Sequence, residues 1–121
     1  MYKIKKEIVM TIEERIKMYK RKKVFVDSIS KALEASNISV VKVDYEVYSK
    51  QYPNCDNNYY YEFVVVTFFG GAKSVINVSG NSDSANFRAI GELIDGGYYD
   101  QVRYWEELPN NGFIKIDLEE N

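Results

Sequence analysis

Apolar and polar positions alternate with two different periods along this chain, and the switches between them mark out the elements. From Thr11 the spacing is helical. Ile12, Ile16, Tyr19, Val26, Ile29 and Leu33 fall on one face, with Met18, Phe25 and Ala32 beside it. Thr11-Ile12-Glu13-Glu14 has the form of a capping box, so the helix is predicted to start there and to run to about Ser36. Lys20-Arg21-Lys22-Lys23 places four cations in succession, whose repulsion predicts a bend or fraying. Upstream, residues 2–10 read as a strand interrupted at Lys6.

From Ile38 to Tyr48 the period becomes two. Val41, Val43, Tyr45 and Val47 face one way, with Lys42, Asp44, Glu46 and Tyr48 opposite, which predicts a half-buried strand. Ser49 to Asn58 is loop chemistry, and Tyr59 to Phe69 is an apolar strand with both faces at least partly covered. Gly70-Gly71 predicts a two-residue turn into a third strand, Ala72 to Ser79. That turn pairs Phe69 with Ala72, Thr67 with Ser74, Val65 with Ile76 and Phe63 with Val78 on a core-facing side. Tyr48, Tyr60, Val64, Val66 and Phe68 are left on the other side, which is too apolar for water and reads as a second core layer or an interface, including a homodimer interface.

Ser82 to Ser84 offers N-caps for a second helix burying Phe87, Ile90 and Ile94, with Leu93 alongside, ended by Gly96-Gly97. Tyr98, Val102 and Trp105 repeat at helical spacing, predicting a short third helix over residues 98–108. After a turn at Pro109 to Gly112, residues 113–118 form a last strand with Ile114, Ile116 and Leu118 inward. The order β-α-β-β-β-α-(α)-β predicts an α+β fold, a single domain over residues 1–121, with helices packed on one face of a largely antiparallel sheet.

Composition narrows the chemistry. The chain has no histidine, which removes Ser-His-Asp and Cys-His arrangements and the usual proton-transfer side chain at neutral pH. Cys55 is the single cysteine, so neither an internal disulfide nor a structural zinc site can form, and a cytoplasmic location is expected. It stands beside Asp56 and reads as an incidental thiol. The carboxylates Asp100, Glu106, Glu107, Asp117, Glu119 and Glu120 lack EF-hand spacing and read as solvated surface. Gly70-Gly71 and Gly80-Asn81-Ser82 match no phosphate-binding motif. No apolar run approaches the ~20 residues of a membrane helix. No enzyme, metal, cofactor or membrane association is therefore expected.

Charge is uneven. Residues 1–43 hold eleven Lys/Arg and five Asp/Glu, a net +6, and residues 44–121 hold five and thirteen, a net −8. Two surfaces of opposite sign are predicted. Lys20, Arg21, Lys22 and Lys23 are the candidates for nucleic-acid binding, and a helix, three strands and a helix is the element order of double-stranded RNA-binding domains. Their lysine-rich last helix is replaced here by Ser84-Ala85-Asn86-Phe87-Arg88-Ala89-Ile90-Gly91-Glu92. The contact residues of that family are absent.

Eleven tyrosines are the positive signal, because Tyr and Trp are enriched at protein interfaces. Tyr98, Tyr99, Asp100, Tyr104, Glu106 and Glu107 are the first candidate contact group, and Tyr59, Tyr60 and Glu62 the second. Twelve lysines against four arginines point to an AT-rich coding source. In size, charge and tyrosine-rich segments the chain resembles the small inhibitors of phages and mobile elements, anti-CRISPR proteins among them. That resemblance implies a non-catalytic protein whose acidic, aromatic surface occupies a basic nucleic-acid channel on a host protein.

Overall fold

The structure is a computed structural model that describes residues 10–36, 39–96 and 101–119. It is an α+β fold in which, among the described residues, four strands form one antiparallel sheet in the order β3-β2-β1-β4. The predicted strand over residues 2–10 lies outside the described residues, apart from Met10.

Helix α1 spans Ile12–Ala35, and its capping box forms in both directions: the Glu14 amide donates to Thr11 Oγ1 at 3.1 Å and the Thr11 amide to Glu14 Oε1 at 3.3 Å. Tyr19 and Val26 are buried, with Ile29 and Leu33 packed beside them, as the helical spacing predicts. Ile12, on the first turn of that face, is instead exposed. The helix passes through residues 20–23 without a break. Lys22 turns inward to Glu62 at 2.8 Å, and Lys23 binds Asp27 and Glu119, which relieves the repulsion expected there.

Strand β1 spans Val40–Gln51, β2 Asn58–Phe68 and β3 Lys73–Asn77. The register of β1 against β2 shifts between Val40 and Lys42, leaving Val41 as an extra residue. A bulge of this kind reverses which side faces the core. Val40 is therefore buried and Val41 exposed, while Val43, Tyr45 and Val47 point inward as expected.

The β2–β3 hairpin differs from expectation by one residue. Val65 pairs with Val75 and Phe63 with Asn77, because the connection is Phe69-Gly70-Gly71 rather than the two glycines alone. The Phe68 amide donates to the Ala72 carbonyl at 2.8 Å, and both glycines take φ of +92°, a region closed to most side chains. Phe69, assigned to the core by the two-residue turn, sits at the tip and is 71% exposed.

Both sheet faces are covered by the chain itself. Val64 and Val66 pack with Tyr45, Val47 and Val78 under α1 and under α2, which spans Asp83–Ile94. Helix α3 (Gln101–Glu107) and the 3-10 turn Leu108–Asn111 cover the other face, where Val102, Trp105 and Leu108 meet Tyr48, Phe63, Val65 and Val75. The helices therefore lie two on one face and one on the other, not all on one. The apolar face read as a second core layer or an interface is the larger core layer, with Val64 and Val66 fully buried. Tyr48, assigned to it, lies on the opposite face with Phe63 and Val65.

On α2 the buried residues are Asn86, Ala89, Ile90 and Leu93, and Phe87 is 59% exposed, one helical position off the predicted face. Strand β4 is only Ile114–Lys115, paired to Tyr48 and Ser49 of β1. Ile116 and Leu118 reach the core, but Ile114 is exposed.

Candidate functional site

The predicted contacts Tyr59, Tyr60 and Glu62 lie on β2, where successive side chains point to opposite faces. Alternation divides them. Tyr60 turns to the α1 face, 6.1 Å from the Tyr19 ring and under the Arg15 guanidinium at 4.6 Å. Glu62, predicted as a contact residue, is 3% exposed. Its Oε1 accepts from Lys22 at 2.8 Å and from the Tyr45 hydroxyl at 2.5 Å, and its Oε2 accepts from the Gly80 amide at 2.7 Å. Burial, then the Glu62 carboxylate, pushes the Tyr45 phenol up, so it stays a donor. The Gly80 loop thus holds an internal anion, and Ser82 caps α2 by accepting from the Ala85 amide.

Tyr59 and Tyr61 turn to the α3 side, at the end of the hairpin that α3 leaves open. The Tyr59 ring meets Tyr52 edge-on at 5.3 Å, and the hydroxyls of Tyr52 and Tyr61 lie 3.1 Å apart. Tyr61 packs edge-on against Phe113 at 5.3 Å, and Tyr104 of α3 reaches Phe63 at 6.1 Å. Lys50 Nζ lies 4.8 Å from the Tyr52 ring centre and 4.9 Å from that of Phe113, while donating to the Asn111 carbonyl at 2.6 Å. The Tyr61 phenol is pushed up to about 12, first by its hydrogen bond with Tyr52, then by burial and by the fields of Tyr52, Tyr104 and Tyr59. Four tyrosines therefore form one group, with Tyr59 and Tyr104 each about half exposed.

Trp105 anchors this arrangement. Its indole N–H donates to Glu46 Oε1 at 2.9 Å, and the same oxygen accepts from the Tyr48 hydroxyl at 2.9 Å. Lys73 lies over the indole at 5.1 Å. Helix α3 is thereby fixed to β1 with Tyr104 turned to the tyrosine group. Glu106 and Glu107 are exposed on the same helix, Glu107 paired with Arg103 at 2.9 Å. Tyr98, Tyr99 and Asp100 lie outside the described residues.

Of the predicted contacts, Tyr59 and Tyr104 come together with the acids of α3 close to Tyr104 in the chain, while Tyr60 and Glu62 do not join them. Sequence reasoning missed Tyr52, Tyr61, Phe113 and Lys50. The signal for Tyr61 was present, since two-residue alternation from Phe63 places Tyr59 and Tyr61 on its side. The basic run also changes character: Lys22 is buried against Glu62, Lys23 is tied to Asp27 and Glu119, and Arg21 is exposed. It is not a continuous cationic stripe.

Among the described residues, no three Cys, Asp or Glu side chains gather as a metal site, and no helix is long and apolar enough to cross a membrane. Comparison of the chain with protein-family models, curated proteins and solved structures finds no match.

Proposed function

We propose that this chain is a non-catalytic binding protein that docks through its tyrosine group and the acidic outer face of α3 onto a protein with a basic surface. The observation that carries this reading is the chain of contacts that links Tyr59 to Tyr52, Tyr52 to Tyr61 and Tyr61 to Phe113, with Tyr104 against the neighbouring Phe63. Tyrosine side chains offer rings and hydroxyls with little conformational entropy to lose, which suits protein contact. Glu106 and Glu107 add negative charge that favours a cationic partner. Inhibition of a host nucleic-acid-binding protein, as in the anti-CRISPR type, is the form this binding takes in our proposal.

Affinity capture from cells of the source tests it. The wild-type chain should retain a basic nucleic-acid-binding protein and inhibit it. The double variant Tyr59→Ser, Tyr104→Ser should lose both effects while keeping its thermal midpoint. Equal capture and inhibition by both proteins overturns the assignment.

A further inference from the structure

Strand β1 is paired with β2 along its length but with β4 only at Tyr48 and Ser49. Its odd-numbered residues turn their backbone groups to the β4 side. The Val47 carbonyl accepts there from the Ile116 amide at 2.8 Å, and the Val43 amide donates to Ser30 Oγ at 2.9 Å. Antiparallel alternation places the Tyr45 amide and carbonyl on the same edge, and no strand among the described residues pairs with them. Past Ile116 the chain leaves β1, and a cavity of about 300 Å³ opens between Tyr45 and residues 116–119, with Lys23 beside it.

The lining is acidic. Asp44, Glu46, Asp117 and Glu119 face two cations, Lys23 and Lys115. Three of these carboxylates have cation partners: Glu46 with Lys115 at 3.4 Å, Glu119 with Lys23 at 3.1 Å, and Asp44 with Lys42, outside the lining, at 3.3 Å. Among the described residues, that leaves Asp117 as the acid on which a further cation would act. An open strand edge is a template for another strand. Here the edge is short, bounded by the Ser30 cap on one side and β4 on the other. A second copy of this chain would bring the same acidic lining against it, so like charge disfavours self-pairing.

We propose that this slot docks a short, extended, basic segment of a partner protein, which pairs with the Tyr45 backbone and sets a lysine or arginine beside Asp117. The inference rests on the strand edge and its charge, independently of the tyrosine group.

The test uses the full chain, isotope-labelled for NMR, and a short blocked peptide alternating valine and arginine. Binding should perturb the amides of residues 43–47 and 116–119. It should weaken about tenfold or more with the Asp117→Lys variant, a loss of one rim charge contact. Methylating the peptide's backbone nitrogens should abolish it, and Tyr59→Ser should leave it unchanged. Equal binding of a valine–glutamate peptide overturns the proposal. So does a Tyr45 amide already protected from exchange in the free chain, which would mean that the edge is paired, by this chain or by a second copy.

Discussion

Glu62 shows how far a residue's surroundings govern its role. Three donors from three elements converge on it: the Lys22 ammonium, the Tyr45 hydroxyl and the Gly80 amide. Removing the cation alone leaves a carboxylate buried without its counter-charge. Lys22→Met should therefore cost about 3–5 kcal/mol in urea unfolding, with part of that recovered by adding Glu62→Gln. A lysine serving only as an exposed phosphate contact would change stability by no more than about 0.5 kcal/mol. Tyr61 makes the second test at this scale. Its folded-state phenol sits up at about 12, above the ordinary value of 10.0, so the protonated form is the one the fold favours. The stability linked to it is present below pH ~10 and is lost as pH rises through ~12. Tyr45, Tyr48 and Tyr19 are also raised, by burial first, so the ultraviolet phenolate titration should be compared between wild type and Tyr52→Phe. The component near 12 should move back toward 10, since the Tyr52 hydrogen bond is the largest cause. An unmoved late titration would mean that Tyr52 does not set it.

At the scale of elements, the β2–β3 hairpin separates what the sequence can specify from what it cannot. Two strands joined at Gly70-Gly71 were legible from composition and alternation. The register was not, because Phe69 fits equally well as the last strand residue or the first loop residue. The two choices differ in a measurable way. With Phe69 at the exposed tip, Phe69→Ser should shift stability by about 0.5 kcal/mol or less, whereas a core phenylalanine costs about 3–5 kcal/mol on truncation. Gly70→Ala should be the more damaging change, because its φ of +92° strains any residue with a Cβ. The bulge at Val41 and the face of α2 escaped for related reasons: one inserted residue, or one helical position, exchanges burial without altering hydrophobic content. Only the placement of α2 over Val64 and Val78 decides that Asn86 and Ala89 face inward and Phe87 outward.

For the whole molecule, the division of charge along the chain was legible and its division in space was not. Helix α1 packs along β1, from where Lys22 reaches Glu62 on β2, and Lys23 meets Glu119 near the other end of the chain. Basic early and acidic late segments thus neutralise one another across the core, and the α1 cations lose much of the stripe that nucleic-acid binding needs. Coverage of both sheet faces bears on assembly in the same way. Phe68 packs against the larger core layer under α1 and α2 rather than presenting an outer face. Phe68→Asp should accordingly lower the unfolding midpoint, and sedimentation should give a monomer of about 14.1 kDa both before and after the change. If the wild-type chain sedimented as a dimer that this substitution split without loss of stability, the sheet face would be an interface after all, and the burial of Val64 and Val66 within one chain would be the wrong account of it.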